Sequence, residues 1–420
     1  MTKHADRREV VIEKIVAGGA GLARTDEGVV LVPRTAPGER VAVEIERDGS
    51  PKRARLLSVL EPSPDRVEAD CAIVESCGGC ALLHLSPKAQ RGAREAIVRE
   101  ALPPTLRATE IEHHDATPPR GRTRVRWHAK TLGRGRLLLG YRAAGSRAIV
   151  DLARCPAIDQ RLERALEDAR AILAGADGQG EVSAALGAHG LSALAIEWTG
   201  SLPARAFAES EARVSSGRLA GVAIALEGAK TPALIGDARA FSTAIDGAPL
   251  VTPPFGFAQA SEVGDAALVR LVLTRAAAAG KRVLELFSGS GNFTVALARE
   301  AASVVAIESS EPAARAARAN LEARALANVK LTEGDADAIR PPAGFDVVVL
   351  DPPRAGARGA CAAIAQKPPA RVVYVSCDAA TLGRDLGALL AAGLRVASLD
   401  AVDLFPGTSH VEVVATLVRS

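Results

Sequence analysis

Leu284-Glu285-Leu286-Phe287-Ser288-Gly289-Ser290-Gly291-Asn292-Phe293 reads as an apolar strand, a glycine turn and the first residues of a helix. Glycines let backbone amides approach a ligand closely. Glu308, seventeen residues beyond Gly291 at the end of the next apolar run, is placed to accept hydrogen bonds from ribose hydroxyls. Thr294 stands where a dinucleotide fingerprint has its third glycine, which tilts the site toward S-adenosylmethionine; a purely structural strand-to-helix turn is the alternative. Outward from this stretch, strands are predicted at residues 283–287, 304–308, 329–332, 346–350, 372–376, 394–400 and 411–417. Helical segments such as 312–325 lie between them. The alternation predicts an α/β, Rossmann-like, doubly wound parallel sheet over residues 251–420, with ligands at the carboxyl ends of its strands.

Three further motifs fall at those ends. Asp351-Pro352-Pro353-Arg354 follows an apolar strand, and its two prolines stiffen a loop where a carboxylate can face a ligand. Cys377 ends the next strand, just before a helix expected near Thr381. Backbone dipoles at that helix start are expected to lower its pKa and favour the nucleophilic thiolate, with inert packing as the alternative. Cys361, on a helix-like segment, reads as inert. In Asp403-Leu404-Phe405-Pro406-Gly407-Thr408-Ser409-His410-Val411-Glu412, Glu412 can take a proton from a substrate and His410 can position it or cap the turn.

Toward the N-terminus, residues 1–60 read as short strands with glycine turns. Val41, Val43 and Ile45 alternate with polar neighbours, predicting a small OB-like barrel that ends at Glu61-Pro62-Ser63-Pro64. Residues 61–250 form an α+β central region with a helix predicted over 87–101. Cys71, Cys77 and Cys80 follow a C-x5-C-x2-C spacing there, and Cys155 precedes a proline. Four such thiolates suit an iron-sulfur cluster, with zinc, recruiting His84, as the competitor and unligated packing as the third option. Between Asp115 and Asp151 there is no acid, whereas Arg122, Arg124 and Arg126 share strand spacing and predict a row of guanidinium groups for phosphates; a solvated basic face paired with acids elsewhere is the alternative.

Composition sets the limits. A chain of 420 residues that is 48% apolar can fill several cores, and a formal charge of +3 excludes a globally polycationic binder, so any nucleic-acid surface is local. Aromatics, at 3%, are too few for extended base stacking. No apolar run approaches the roughly 20 residues of a membrane span and the first residues are charged, which predicts a cytoplasmic protein.

Taken together, the motifs resemble the RNA uracil-C5-methyltransferase family, in particular its cluster-containing bacterial 23S rRNA branch. The residues that carry the likeness are the four cysteines, Phe257-Ala258-Gln259, Phe287 to Asn292, Glu308, Asp351 to Arg354, Ser376-Cys377 and Phe405-Pro406-x-Thr408-x-His410-Val411-Glu412. The resemblance implies a TRAM barrel that holds RNA and a class I methyltransferase domain. It implies Cys377 as nucleophile and Glu412 as general base, and places Gln259, Phe287, Asn292, Glu308, Asp335 and Asp351 around S-adenosylmethionine and the base. It further implies a [4Fe-4S] cluster on Cys71, Cys77, Cys80 and Cys155 and an RNA partner that presents a loop or an unfolded region; no obligatory protein partner is evident in the sequence. Transfer RNA is the alternative substrate. A non-catalytic RNA-binding protein and an amino-group methyltransferase are the competing classes, though the second needs no thiolate. The chain departs from the family pattern at Ser261, Asp378-Ala379 and Val413. A carboxylate at Asp378 that faced the sulfur would raise the thiol pKa.

Overall fold

In the computed structural model, residues 6–46, 49–338 and 344–419 are described. They pack as two compact units, one built from residues up to Ala108 with Arg142–Ala148 and Phe405–Val411, the other from Thr109–Tyr141, Ile149–Leu404 and Glu412 onward.

In the first unit, β1 (Asp6–Val11), β2 (Lys14–Ile15), β3 (Ala20–Thr25), β4 (Gly28–Pro33), β5 (Arg40–Ile45) and β6 (Lys52–Glu61) pair in the order β1-β5-β6-β4-β3-β2. β1 and β2 are two halves of one bent segment, the first bonded to β5 and the second to β3, so the pairing returns to its start. The alternation read from Val41, Val43 and Ile45 places them inward with Val10, Ile12, Val30 and Val32. One carboxylate closes this unit. Glu39 is fully buried, and it accepts two bonds from Arg66, at 2.5 and 2.8 Å, and one from the Ala36 amide at 2.8 Å. Burial alone pushes its pKa up, but these donors outweigh that and hold it below the ordinary glutamate value. Helix α1 (Pro87–Ala101) spans the predicted residues. Ser86 caps it, Pro87 occupies its first turn, and Gln90, Ala93, Arg94, Ile97 and Val98 form its buried stripe.

The second unit contains two large sheets. Its first strand, β7 (Ile111–Asp115), belongs to the later one. The central sheet has the order β10-β9-β8-β11-β12-β13-β14 and comprises β8 (Arg124–Leu132), β9 (Arg136–Arg142), β10 (Ile149–Asp151), β11 (Asp177–Leu186), β12 (Ser192–Ser201), β13 (Leu219–Leu226) and β14 (Ala233–Gly236). On β8, Val125, Trp127 and Ala129 are buried, whereas Arg126 and Lys130 are exposed. Helices α2 (Ala165–Ile172) and α3 (Ala204–Ser215) pack on β12 and β13.

After the short pair β15 (Ala240–Thr243) and β16 (Pro249–Thr252) come α4 (Glu262–Ala276), β17 (Arg282–Leu286), α5 (Asn292–Ala298), β18 (Ser303–Glu308), α6 (Glu311–Glu322), β19 (Val329–Glu333), β20 (Val347–Leu350), α7 (Arg358–Gln366), β21 (Arg371–Ser376), α8 (Ala379–Ala391), β22 (Leu394–Asp403) and β23 (Glu412–Arg419). Their sheet has the order β19-β18-β17-β20-β21-β23-β22-β7. It is α/β as expected but not wholly parallel, because β23 runs antiparallel to both β21 and β22. The eight residues between β22 and β23 are too few for a crossover helix, so the chain must return antiparallel. The order reverses between β17 and β20. Phe287 and Asp351 follow the carboxyl ends of those two strands, where an open α/β sheet offers a crevice. No helix among the described residues is long and apolar enough to cross a membrane.

The Glu39 to Arg66 pair yields a stability prediction. Glu39→Ala is expected to destabilise the first unit by about 2–3 kcal/mol, since it strips the acceptor from a partly buried guanidinium. A carboxylate with a depressed folded pKa stabilises fully above its unfolded value of about 4.3, and loses that contribution as pH falls through the folded value. Hydrogen exchange of the β5 and β6 amides should therefore show a wild-type advantage at neutral pH that closes below about pH 4.

Candidate active site

The glycine turn read from sequence is built around strained backbone. Phe287, half-buried, sits at φ 62°, a left-handed conformation that side chains rarely adopt, and Gly291 starts α5 at φ 89° with a methyl of Ala317 3.3 Å from where its own Cβ would stand. The buried Asn320 amide holds the turn from α6, donating to the Ser290 carbonyl at 2.9 Å and bonding Val251 through both its oxygen and its nitrogen. Glu308, at the end of β18, accepts the Gly289 amide at 2.8 Å and the Ser310 amide at 2.7 Å. Asn292 donates to Asp265 at 2.6 Å.

Carboxyl groups crowd this edge of the sheet. Asp265 is pushed up to about 6, first by burial and then by Glu262, against the Asn292 bond. Glu285 is fully buried and pushed up to about 8, by burial and then by Asp351 and Glu308; Thr294 works to lower it, but neither carboxyl oxygen has a partner in hydrogen-bond geometry among the described residues. Asp351 is raised by burial and by Asp265. Glu412, the first residue of β23, is raised well above the ordinary range by burial and Asp351, against the pull of Arg354.

Cys377 joins this group from the end of β21. Its thiol is pushed up to about 11 by burial first, then by Glu412 and Asp351, whereas Arg354 works to lower it through charge and a hydrogen bond. The expected lowering by the helix start is thus overridden, because α8 begins at Ala379 while burial and two acids act directly on the sulfur. Asp378 is not among the groups that raise it. Its carboxylate caps α8, accepting from the Thr381 amide at 2.9 Å and the Thr381 hydroxyl at 3.2 Å. Ser261 likewise caps α4, accepting from the Gly264 amide at 3.2 Å. Both departures from the family pattern have local structural work to do.

Cys377, Glu412, Asp351, Glu308, Phe287 and Asn292 therefore share one edge of the second unit. Gln259 is half-buried just before α4. Asp335 is exposed, its carboxylate turned onto the Asp337 amide at 2.9 Å. Arg354, quoted only as part of its loop in the sequence, proves to be the cation among these groups. Its loop is anchored by Asp385 on α8, which accepts the Ala357 amide at 2.8 Å and the Tyr374 hydroxyl at 2.7 Å. Sequence reasoning missed Asp385 and Asp265, which carry no motif, and Glu285, whose charge inside an apolar strand was a usable signal. Cys361 is buried with its thiol pKa raised by burial, as its inert reading requires. His410 stacks edge-on against Phe405, with ring centroids 6.1 Å apart.

The expected row of guanidinium groups is corrected. Arg122 precedes β8, and Arg124 turns inward to the Gly256 carbonyl, its pKa lowered to about 10 by burial and then by Arg126. Arg126 pairs with Glu181 at 3.3 Å and Arg120 with Glu163.

None of the six cysteines is in a disulfide among the described residues, and Cys71, Cys77, Cys80 and Cys155 are each half-buried. Within the first unit the Gly79 amide donates to Cys77 Sγ at 3.4 Å, and the Arg34 guanidinium interacts with Cys71 and Cys77. Soft donors with an amide bonded to one sulfur and a cation close by suit an iron-sulfur cluster. His84, weighed as a zinc ligand, is buried with its Nε2 bonded to the Thr35 carbonyl at 3.1 Å.

A relative from Alkalilimnicola ehrlichii, 23S rRNA (uracil(1939)-C(5))-methyltransferase RlmD, is 33% identical, the match covering 98% of this chain and 96% of that protein. The chain belongs to the RNA uracil-C5-methyltransferase family. The family profile described as tRNA (Uracil-5-)-methyltransferase matches residues 343–420, and one described as Conserved hypothetical protein 95 matches residues 271–376. An uncharacterized RNA methyltransferase of Caulobacter vibrioides is 34% identical over 98% of this chain and all of its own length. The crystal structure of Pyrococcus abyssi tRNA (uracil-54, C5)-methyltransferase in complex with S-adenosyl-L-homocysteine shares the fold, with a TM-score of 0.78 at 24% identity over 98% of this chain and 99% of that one.

The charges around Cys377 predict its reactivity. Alkylation of the Cys377 peptide by iodoacetamide, followed by mass spectrometry, should rise with pH toward a midpoint of about 11. Glu412→Gln should move that midpoint down by removing a neighbouring negative charge, and Arg354→Ala should move it up.

Proposed function

We propose that this chain methylates carbon 5 of uracil in RNA with S-adenosylmethionine as methyl donor, and that 23S rRNA is its substrate. The observation that carries this is a half-buried thiol, Cys377, set beside an acid, Glu412, and a cation, Arg354, at the carboxyl edge of the sheet. An enzyme that methylates amino groups has no use for such a thiol, and a passive RNA binder has no use for the acid beside it.

Uracil C5 is too weak a nucleophile to attack a methyl sulfonium unaided. The Cys377 thiolate adds to C6, its electron pair forming the new S–C bond while the C5–C6 π pair moves onto C5 and O4 as an enolate. C5 then attacks the methyl carbon, and the carbon–sulfur bond of the sulfonium breaks to leave S-adenosylhomocysteine. Glu412 removes the C5 proton, the freed pair restores the C5–C6 double bond, and the Cys377 thiolate leaves.

The raised acids bear on when these steps become possible. Burial and Asp351 favour the protonated form of Glu412, so its action as a base calls for something that favours its anion. A sulfonium cation among Asp265, Glu285, Asp351 and Glu412 does so, because a nearby positive charge lowers carboxyl pKa values. Gln259, Phe287, Asn292, Glu308, Asp335 and Asp351 are the residues assigned to that ligand. Arg354, the cation that already favours the charged form of Cys377, steadies the thiolate both as it forms and as it departs.

In this scheme residues 1–60 are a TRAM-like barrel that holds RNA, residues 61–250 contribute the cluster and a basic surface that includes Lys130 and Arg136, and residues 251–420 transfer the methyl group. Because the reacting base must leave its stack, the RNA presents a loop or an opened region. Cys71, Cys77, Cys80 and Cys155 would hold a [4Fe-4S] cluster, whose role when bound is structural or RNA-positioning rather than redox. The work is done in the cytoplasm.

Mixed with substrate RNA and resolved on a denaturing gel, Cys377→Ala should form no covalent adduct. Glu412→Gln should form a methylated adduct that persists, with turnover down at least a hundredfold. Adduct formation by Cys377→Ala would remove that residue as nucleophile. Modification mapping of RNA from cells with and without the protein should show 5-methyluridine lost from 23S rRNA; loss from transfer RNA instead would overturn the substrate.

A further inference from the structure

Arg34, just after β4, has a left-handed backbone at φ 62°, although it is neither glycine nor asparagine. The turn is locked around it. The Arg34 carbonyl accepts from Arg66 Nη2 at 2.8 Å, the Thr35 carbonyl is bonded to His84, and the Ala36 amide is bonded to Glu39. From this fixed base the side chain reaches the cysteine segment of its own unit, where Nη2 donates to the Cys77 carbonyl at 3.1 Å.

The side chain is only 13% exposed, and Nη1 is buried with no hydrogen bond among the described residues. Its nearest carboxylate, on Glu75, lies 3.7 Å away, too far for a hydrogen bond and 86% exposed. An exposed, screened carboxylate compensates poorly for burying a guanidinium, and a buried N–H without an acceptor is unfavourable. Besides Glu75, the groups that favour the charged form of Arg34 are Cys77 and Cys71. Strain at the backbone together with an unmet donor at the tip marks a side chain arranged for an anion.

We propose that Arg34 turns Nη1 toward the sulfurs of the group held by Cys71, Cys77 and Cys80, offsetting that group's negative charge. This rests on the cluster reading above. Four thiolates around a core of two positive charges leave a dianion, and a cation or N–H donor at the sulfurs stabilises the form with more electrons and so raises the reduction potential. The Gly79 amide on Cys77 Sγ acts in the same sense.

The test uses full-length protein purified without air. Iron and acid-labile sulfide are measured first; wild-type protein lacking both would overturn the cluster reading, and this proposal with it. Arg34→Met removes the charge and Arg34→Lys keeps it while losing the planar fork, and neither relieves the backbone strain, so the three proteins differ at the tip alone. A spectroscopic redox titration should give Arg34→Met a more negative potential than wild type. Iron transfer to a chelator should be roughly tenfold faster, the scale of one lost charge-assisted hydrogen bond, with Arg34→Lys between the two. A loaded Arg34→Met with wild-type potential and release rate would overturn the proposal. Should Arg34→Met fail to fold, Arg34→Lys decides, because loss of the fork must still speed iron release, and a wild-type rate there would overturn it equally.

Discussion

The constraint on which this site depends is the poor solvation of negative charge at the carboxyl edge of the second unit's mixed sheet. Asp265, Glu285, Asp351, Glu412 and the Cys377 thiol are all held there with raised pKa values, and burial is the leading cause in every case. Arg354 is the cation that acts on both Cys377 and Glu412, and one guanidinium cannot neutralise so many groups. Burial therefore favours the protonated forms of these groups. Such a site is electrostatically unfinished until a positive ligand arrives, which in the proposed scheme makes chemistry contingent on loading the methyl donor.

That dependence explains the effort spent on rigidity. Asn320 fixes the glycine turn, Asp385 fixes the loop that carries Arg354, and Asp378 and Ser261 fix the starts of two helices. Groups with unfavourable charge relax apart unless the backbone denies them room. Here the strained φ of Phe287 and the two prolines after Asp351 deny it.

Much of this was legible in the sequence. Period-two alternation found Val41 to Ile45, the helix expected over 87–101 is α1, and alternating strands and helices found the α/β class. Cys377, Glu412 and Asp351 stood out because strand ends of such a sheet are where chemistry collects. Long-range packing was not legible. No local pattern brings β7 to a sheet whose other strands begin 171 residues further along, from Ile111 to Arg282. Nor does a pattern show that Asp378 faces a helix rather than a sulfur, or that Arg124 turns inward while Arg126 does not. Those outcomes depend on which partner waits across the fold, and Glu285 was overlooked because strand composition was weighed ahead of charge.

The position of β7 also matters for how this protein can be divided. It lies parallel against β22 from Leu399 to Asp403 and covers the outer margin of the sheet. A fragment that began near residue 251 would keep every group proposed for methyl transfer but leave β22 with a bare ladder of amides and carbonyls. Such a margin recruits strands from neighbouring molecules, so the excised piece would be prone to self-association and aggregation. The part from residue 251 onward owes the cover on its outer strand to a five-residue segment upstream.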